Sequence, residues 1–261
     1  MDIPKYKAYN FLPKKCEYCL CVPVINEGER FKKFIKKLTG YSGLVDILVL
    51  DGGSTDGSVN KVFLRNNNVS SLLIIKEEGR LSSQLRMGYF FALKRGYKGV
   101  VTIDGNGKDD PKAIPLFVTL LKRGYDYLQG SRFMKKGRGI NTPLARYLAI
   151  RFVHAPLLSL SSGFFFTDTT PGFRGYSSKL LKDQRLMIFR KIFTSYRLLA
   201  YITARAPRLG FRTKEVPITR RYPKKGPEPT KIRGLKGELE LLLTLFKAAL
   251  GFFNPRSFQN E

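Results

Sequence analysis

Short apolar runs alternate with amphipathic segments through the first half of the chain. The runs DILVL and GVVTI are almost continuous in apolar residues, which is typical of strands in a parallel sheet covered on both faces. We therefore predict an α/β fold with a Rossmann-like, mostly parallel sheet flanked by helices. The predicted strands span residues 17–24, 44–50, 71–75, 100–103 and 125–129, and the predicted helices lie near 29–38, from 54, near 81–95 and from 111.

Beyond residue 131 the pattern becomes more helical. It predicts helices at residues 142–160 and 194–204, and strands at 172–176 and 211–218. A segment rich in Pro, Gly and Lys leads to an apolar helix at 238–253, which is shorter than the roughly 20 residues that a membrane-spanning helix needs. We divide the chain into one domain at residues 1–222 and an extension at 223–261, made of a basic loop and an amphipathic helix.

Polar residues follow three of the predicted strands, at the points where these strands end. They occupy residues 23–27, 51–57 and 104–110. Because ligands of parallel α/β sheets bind beyond the carboxyl ends of the strands, we expect the three segments to form one site. In the second segment, glycines allow backbone amides to approach a ligand, and Ser54 or Thr55 can cap the following helix. An ordinary capped turn is the alternative interpretation of that segment.

Two oxygen ligands directly follow the strand GVVTI. Asp104 and Asn106 stand at positions i and i+2, and carboxylate and amide oxygens are ligands for a hard divalent cation such as Mg²⁺ or Mn²⁺. The alternative is a plain strand-to-helix turn, in which Gly105 and Gly107 allow positive φ and Pro111 opens the helix. Taken alone, the segment is compatible with both interpretations.

The positive charge is concentrated in the second half of the chain. Residues 1–131 carry 21 basic and 13 acidic residues, residues 132–261 carry 26 and 7, and the formal net charge is +27. Nucleic acid, anionic lipid and a phosphorylated substrate are all compatible with this excess. No apolar run is long enough to span a membrane, and the N-terminus lacks a signal-peptide pattern, so we expect a cytoplasmic protein.

Three motifs, in this order along the chain, resemble glycosyltransferase family 2. They are Pro23-Val-Ile-Asn26-Glu27, Asp51-Gly52-Gly53-Ser54-Thr55-Asp56-Gly57 and Asp104-Gly105-Asn106. Later segments resemble the polyprenyl-phosphate branch of that family, whose members are dolichyl-phosphate mannosyltransferase-like: Gly130-Ser-Arg132, residues 168–176, Val216-Pro-Ile-Thr and Thr230-Lys231. The resemblance covers about residues 19–250 and implies a GT-A type fold and a hexosyltransferase that uses a nucleotide sugar.

The resemblance implies a donor site, a metal site and an acceptor site. Asp104 and Asn106 would hold Mg²⁺ or Mn²⁺, which makes Asp104 a candidate catalytic residue. The candidate nucleotide-sugar ligands are Pro23, Asn26, Glu27, Asp51, Gly53, Ser54, Arg80 and Gln84. The candidate ligands of the acceptor phosphate are Arg132, Arg146, Arg174, Arg221 and Lys231. Lys231 would lie on a loop that closes over the site. Arginine suits an oriented phosphate, whereas solvated surface charge is the alternative role for these arginines.

The chain departs from the family pattern at four positions near these sites, one of which is Gly52, where the family commonly has a second aspartate. Asn106 replaces a carboxylate, which leaves a neutral metal ligand. Lys108 stands where the branch often has a polar ligand, and its cation would compete with the metal or contact the diphosphate. Pro223 stands where an arginine is expected, with Arg220 and Arg221 nearby.

The implied reaction is direct displacement at the anomeric carbon, with inversion of configuration. A polyprenyl-phosphate acceptor is already anionic near pH 7, because the second pKa of a phosphate monoester is about 6, so no general base is required. The alternative acceptor is a sugar hydroxyl in polysaccharide or glycolipid synthesis. It needs a base, for which Asp168 is the leading candidate; a helix or turn cap is the alternative role of Asp168.

A lipid acceptor also gives two apolar segments a function. Residues 238–253 and the aromatic-rich residues 157–166 are predicted interfacial surfaces that bind the anionic inner face of the membrane; core or oligomer packing is the alternative. We expect peripheral association, with an integral-membrane partner possible as the recipient of the product. A basic nucleic-acid-binding module is a remote alternative, because the chain lacks nucleic-acid-binding signatures, and we expect no nucleic-acid partner.

Overall fold

The structure is a computed structural model that describes residues 1–77, 80–224 and 234–255. Its strands are β1 (Tyr6–Asn10), β2 (Tyr18–Val24), β3 (Asp46–Asp51), β4 (Val69–Ile75), β5 (Gly99–Thr102), β6 (Tyr127–Ser131), β7 (Arg138–Ile140), β8 (Arg174–Ser177), β9 (Thr213–Pro217) and β10 (Thr219–Arg221). Its α-helices are α1 (Gly28–Leu38), α2 (Lys61–Asn66), α3 (Leu81–Lys94), α4 (Ile114–Lys122), α5 (Leu144–Ala149), α6 (Ala155–Ser162), α7 (Ser178–Lys182), α8 (Arg197–Arg208) and α9 (Gly234–Ala249).

Eight strands form one mixed sheet in the order β1-β4-β3-β2-β5-β8-β6-β9. Strand β2 pairs in parallel with β3 and β5, β3 pairs in parallel with β4, and β6 pairs in parallel with β9. Strand β8 runs antiparallel between β5 and β6, and β7 and β10 form a separate parallel pair. The predicted α/β fold is confirmed. Because β2, β3 and β5 are parallel neighbours, their carboxyl ends meet at one edge of the sheet.

Helices bury both faces of the sheet, which explains the continuous apolar runs. Successive residues of a strand point to opposite faces. In β2, Cys19 and Cys21 join the core formed with α3, α6 and α8, whereas Leu20 and Val22 join the core formed with α1 and α4. All four residues are fully buried. Neither side of the strand therefore tolerates a polar position.

Strand β1 was not predicted from the sequence. It pairs antiparallel with β4, from Tyr6 opposite Ile75 to Asn10 opposite Ser71. Its sequence YKAYN is half polar, and all five residues are at least partly exposed. An edge strand with one exposed face lacks the apolar run that identified the buried strands.

The prediction of a helix from Ser54 is wrong. Helix α2 begins only at Lys61, and its cap is Asn60, whose side chain accepts a 2.9 Å hydrogen bond from the Phe63 N–H. The Ser54 hydroxyl instead donates a 2.6 Å hydrogen bond to the Asp51 carboxylate. Ser and Asp side chains bond local backbone groups in turns as readily as at helix ends, so the residue type alone did not separate the two structures.

The helix predicted at residues 142–160 is divided into three parts. Helices α5 and α6 are joined by a π-helical turn at Ile150–His154. Pro156 lies in the first turn of α6. Because proline has no N–H to donate to the preceding turn, it interrupts the hydrogen-bond ladder of an α-helix.

Helix α9 corresponds to the apolar helix predicted near the C-terminus. Leu245, Ala248 and Phe253 are buried in the same core as Leu158 and Leu198. This packing accounts for part of its apolar sequence, while the division of the chain at residue 222 stays a prediction. Within the described ranges, no helix has both the length and the apolar composition required to cross a membrane.

Candidate active site

A cavity of about 790 Å³ lies beyond the carboxyl ends of β2 and β5. Its wall continues along α3, the α5–α6 segment, α8 and α9. Eight of the sequence-predicted site residues line it: Pro23, Glu27, Arg80, Gln84, Asp104, Asn106, Arg146 and Arg174. The expectation that these strand ends and the later basic segments meet in one place agrees with this geometry.

The loops after β2 and β3 hold each other through hydrogen bonds. The Asp51 carboxylate accepts bonds from the N–H and the hydroxyl of Ser54, at 3.0 and 2.6 Å. The Ser54 hydroxyl oxygen accepts from the Asn26 N–H at 3.0 Å, and the Asn26 side chain accepts from the Thr55 N–H at 2.8 Å. Gly53, at φ +92°, completes the turn. The lining residues of this region are Pro23, Val24, Ile25 and Glu27. The predicted donor ligands in these loops lie beside them but do not line the cavity themselves: Asn26, Asp51, Gly53 and Ser54.

Gln84 joins the ends of two strands. Its side-chain nitrogen donates to the carbonyls of Val24 and Leu50, both at 2.8 Å. A Cβ at Gly52 would meet that nitrogen at 3.0 Å, so a larger residue at position 52 would require Gln84 to move. The amide nitrogen of Gln84 therefore has a structural role.

Two further predicted donor ligands stand at helix starts. Glu27, which precedes α1, lies 2.7 Å from Arg30 and has a side chain that is only 9% exposed. Arg80, which precedes α3, has a side chain that is 71% exposed and lies 3.9 Å from Glu240 of α9. Glu27 is thus held by its own helix, whereas Arg80 is a solvated cation at the cavity margin.

The predicted metal motif, residues 104–106, forms part of the cavity floor. The Asp104 side chain is 22% exposed, and one of its oxygens lies 3.4 Å from Nη2 of Arg220. The side-chain oxygen of Asn106 accepts from the Lys108 N–H at 3.1 Å. A Cβ at Gly172 would lie 2.2 Å from Oδ1 of Asp104, so the residue two positions before β8 must lack a side chain for the Asp104 carboxylate to occupy its position.

These residues fit a divalent cation that takes most of its ligands from elsewhere. One carboxylate residue and one amide residue of the motif line the cavity, and within residues 1–77, 80–224 and 234–255 no cluster of three His, Cys, Asp or Glu side chains is present. Mg²⁺ is commonly held by one or two carboxylates together with water and substrate phosphates. Asp104 and Asn106 are compatible with that arrangement and not with a metal cage built from protein alone.

Arg220 is a site residue that the sequence did not single out. It is 7% exposed and lines the cavity, with Nη1 2.5 Å from Asp109 and Nη2 3.4 Å from Asp104. Burial alone would lower its pKa, but the two carboxylates keep the pKa above its ordinary value. Arg221, the predicted candidate, is exposed and does not line the cavity. The alternation of side chains along β10 separates the two, and this signal requires knowing that residues 219–221 form a strand.

Tyr222 is a second residue that the sequence did not identify. It is 3% exposed, lines the cavity and accepts a 2.7 Å hydrogen bond from Arg132. Its ring lies 5.3 Å from the Lys108 ammonium and 5.5 Å from the Arg146 guanidinium. Cations near an aromatic face are attracted by its electron density, so Tyr222 helps to hold the two lining cations Lys108 and Arg146 near each other.

Arg132 and Asp168 form a buried ion pair with both side chains fully inaccessible. Asp168 accepts five hydrogen bonds, three from Arg132 and two from Thr170. Arg132 also donates to Tyr222 and Thr170. Neither residue lines the cavity. The base role of Asp168 and the phosphate role of Arg132 stay predictions, and this geometry favours a scaffold role for both.

Arg174 is buried without a carboxylate partner among the described residues. Its guanidinium donates to the carbonyls of Pro171, Leu199 and Thr169 and to the Thr203 hydroxyl, and it is 2% exposed. Arg174 therefore ties α8 to the segment before β8 and contributes positive potential to the cavity that it lines. The remaining acceptor candidate, Lys231, lies outside the described residues.

The only histidine of the chain also lines the cavity. Burial, together with the nearby charge of Arg146, lowers the pKa of His154 to about 4, so the imidazole is neutral at pH 7. Tyr196 also lines the cavity, and burial with the charge of Asp104 raises its pKa to about 12. Neither residue stands in a motif, so their proximity to Asp104 and Arg146 follows only from the folded chain.

Away from its charged floor, the cavity is lined by apolar side chains. Apolar side chains from the helices form the far wall: Ile150, Leu158, Leu199, Leu241, Leu242 and Leu245. Floor and wall thus combine groups suited to phosphates with a surface suited to a hydrocarbon chain. A sheet of this topology, with a charged cavity at its strand ends, is typical of enzymes that bind nucleotides.

The fold and the strand-end motifs define a sugar-transferring enzyme of the GT-A type. The family model described as "Glycosyl transferase family 2" matches residues 19–185, and the chain belongs to that family. It is a glycosyltransferase.

Among curated proteins, the chain is 28% identical over 200 residues to an undecaprenyl-phosphate mannosyltransferase of Micrococcus luteus, covering 76% of this chain and 81% of the relative. It is 26% identical to a polyprenol monophosphomannose synthase of Mycolicibacterium smegmatis, covering 76% and 75%. Among solved structures, glucosyl-3-phosphoglycerate synthase of Mycobacterium tuberculosis, in complex with Mn²⁺, uridine diphosphate and glucosyl-3-phosphoglycerate, matches with a TM-score of 0.61 and 17% identity, covering 92% of this chain and 81% of that one. That last similarity concerns the fold alone.

Proposed function

We propose that the protein transfers a sugar from a nucleotide-sugar donor to the phosphate of a polyprenyl lipid. The observation that carries this proposal is the continuity of one cavity, from the charged floor at Asp104 and Arg220 to the apolar wall formed by α6, α8 and α9. A phosphate with a hydrocarbon tail matches both surfaces. The names of the two curated relatives, each of which refers to a polyprenyl acceptor, support the same substrate class.

The donor diphosphate meets positive charge contributed by the chain itself. Arg220 is kept in position by Asp109, and Lys108 lies on the same floor. Preorganised cations stabilise the charge that develops on a departing diphosphate. A bound Mg²⁺ or Mn²⁺, held by Asp104 and Asn106, would add further neutralisation of that charge. The nucleoside would lie against the loops after β2 and β3, near Pro23, Asn26 and Asp51.

The acceptor phosphate is its own nucleophile in this reaction. At pH 7 it carries nearly its full charge, because its second pKa is about 6, so displacement at the anomeric carbon requires no base and inverts the configuration. Arg146 lines the cavity and is the acceptor-phosphate ligand that this geometry favours. A hydroxyl acceptor would require a base, and Asp168 is already engaged with Arg132 and Thr170. We assign the enzyme to the cytoplasmic face of the membrane.

The test is nucleoside-diphosphate release from uridine- and guanosine-diphosphate sugars, with and without a short polyprenyl phosphate, in Mg²⁺, Mn²⁺ or chelator. We expect release that depends on the lipid phosphate. Asp104→Asn should reduce the rate by about 10²–10³-fold, as for the loss of one preorganised charge-stabilising group. Asp110→Asn is the matched control, because the Asp110 side chain does not line the cavity and caps the turn at Lys112, a role that asparagine fills equally well. Release that is independent of lipid phosphate would contradict the acceptor assignment.

A further inference from the structure

Large apolar side chains are exposed along the segment formed by α5 and the following π-helical turn. Leu144, Leu148 and Phe152 are 71%, 43% and 73% exposed. They are spaced four residues apart, which places them on successive turns of the helical segment. A stripe of this kind on a water-facing helix surface is unfavourable for a monomer in water and indicates an interaction surface.

The segment that carries this stripe has no acidic residue. Between Asp126 and Asp168 the sequence contains no Asp or Glu. Lys135, Lys136 and Arg138 are exposed there, and Arg146 and Arg151 are partly exposed. Basic residues beside exposed leucine and phenylalanine are the composition of helices that lie in the interface of an anionic membrane.

A second apolar stripe lies on α9. Leu239, Leu243, Phe246 and Leu250 are 58%, 50%, 47% and 72% exposed, and their spacing of four, three and four residues corresponds to one face of a helix. The opposite side of α9, represented by Leu245 and Ala248, is buried in the core. The exposed stripe is therefore not required for the packing of α9 onto the domain.

Both stripes border the cavity already described. The α5 segment lines the cavity with Ala149 and Ile150, and α9 lines it with Leu241 and Leu242. Each helix thus presents one side to the cavity and another apolar side to the surroundings. An acceptor lipid that enters between the two helices would pass from an apolar exterior to an apolar wall.

We propose that these two stripes form a docking face for an anionic lipid bilayer, and that the cavity opens toward the membrane between them. The docking face consists of Leu144, Leu148, Phe152, Leu239, Leu243, Phe246 and Leu250. This inference rests on the proposed function and adds the surface and the direction from which the acceptor arrives. A second copy of the chain fits this face less well, because each copy carries a formal charge of +27 and the basic segments would repel each other.

The test is cosedimentation with phosphatidylcholine vesicles, with and without phosphatidylglycerol, at low and high salt. We expect binding to the anionic vesicles, weakened by high salt. Leu148→Ser/Phe152→Ser, and separately Leu243→Ser/Phe246→Ser, should each weaken the partition by about tenfold or more through loss of inserted apolar area. Val62→Ser/Leu116→Ser is the matched control, because Val62 and Leu116 are exposed apolar residues of α2 and α4 outside the docking face. Thermal unfolding checks that every variant is folded.

Failure of the docking face can be distinguished from failure of the proposed function. Both docking variants should keep the wild-type rate with a short, water-soluble polyprenyl phosphate and lose rate with a long acceptor embedded in vesicles. Vesicle binding equal to wild type in both variants, or equal loss in the Val62/Leu116 control, would overturn the docking face. A wild type that is a dimer in sedimentation velocity, with both docking variants monomeric, would also overturn the docking face, because the face would then be a contact between copies of the chain. Intact docking without transfer to any polyprenyl phosphate would overturn only the acceptor assignment.

Discussion

Two arginine–aspartate pairs lie close to the cavity, and they differ in how completely the aspartate is engaged. In the closed pair, Arg132 and Asp168, both side chains are inaccessible and the carboxylate accepts five hydrogen bonds. In the open pair, Arg220 and Asp104, the charged atoms are 3.4 Å apart and the carboxylate side chain is 22% exposed. A carboxylate with unused, accessible oxygens can bind a ligand, whereas a fully engaged one mainly maintains the fold.

The partner of each arginine explains this difference. Arg220 has a second, buried carboxylate in Asp109, at 2.5 Å, so it stays anchored when Asp104 turns toward a ligand. Arg132 has Asp168 as its ion-pair partner in the described structure, and Asp168 has Arg132. Removing one member of such a buried pair leaves an uncompensated charge. We therefore expect the open pair to serve the chemistry and the closed pair to serve stability, and substitutions in and around both pairs test this expectation.

The largest expected effect is on stability, from Asp168→Asn. Loss of the closed pair should lower the free energy of unfolding by about 3–5 kcal/mol, because the guanidinium of Arg132 would remain buried without its counter-charge. Urea unfolding measures the change. Asp104→Asn should cost no more than about 1 kcal/mol, because Arg220 keeps Asp109 and the site is partly solvated.

Asp183→Asn is the control for the closed pair. Its partner Arg185 lies 2.8 Å away, but the Arg185 side chain is 46% exposed, so the expected loss is below about 1 kcal/mol. If Asp168→Asn kept full stability and donor affinity but lost turnover, the scaffold role would be contradicted and the base role supported.

An intermediate effect concerns His154, which lines the cavity and experiences the charges of both Asp168, a member of the closed pair, and Arg146. Its pKa falls from 6.5 to about 4 on folding, so the unfolded chain binds more protons between these values. Stability associated with this residue is complete above pH 6.5 and is lost as the pH falls toward 4. Between pH 7.5 and pH 5 the loss should be about 2 kcal/mol, at 1.36 kcal/mol per pH unit.

The measurement is urea unfolding of the wild type and His154→Gln at both pH values. The variant lacks the titrating imidazole. Over the same interval its free energy of unfolding should therefore fall by about 2 kcal/mol less than that of the wild type. The carboxylates that also titrate there are common to both proteins and cancel in the difference. An identical fall in the two proteins would mean that His154 is as solvated as in the unfolded chain.

The smallest expected effect concerns metal binding beside the open pair. Asn106→Asp adds a carboxylate beside Asp104, and a second charged oxygen ligand suits Mg²⁺ or Mn²⁺ better than an amide. We expect Mn²⁺ affinity to rise about tenfold, equivalent to about 1.4 kcal/mol, as measured by electron paramagnetic resonance in the presence of a nucleoside diphosphate. Asn60→Asp makes the same substitution at the cap of α2 and should leave the affinity unchanged. An unchanged affinity in Asn106→Asp would remove position 106 from the metal site.

The open pair shows which parts of the site local sequence identifies. Asp104 was predicted because it directly follows a buried strand, and strand ends of parallel neighbours meet by geometry alone. Arg220 was not, because it reaches Asp104 across more than a hundred residues and its inward orientation depends on β10. Distant pairing of this kind leaves no periodic trace in the sequence.

The closed pair and the edge of the sheet show the limits of residue type. The resemblance assigned Arg132 to phosphate binding, and Asp168 was the candidate base because it follows the acceptor-side helical region; neither signal predicts that the two side chains are buried against each other. Strand β1 escaped prediction because an exposed edge strand needs few apolar residues. The buried strands β2, β3 and β5 were predicted because both of their faces require apolar side chains.

Gly172 gives the open pair a particular vulnerability. The position that a Cβ would take there lies 2.2 Å from Oδ1 of Asp104, which is closer than two unbonded heavy atoms can stand. A change to alanine, the smallest side chain available, would displace the carboxylate while leaving aspartate in the sequence. An intact Asp-Gly-Asn motif is therefore no guarantee of a working floor, since the direction of its first residue is dictated from 68 positions further along the chain.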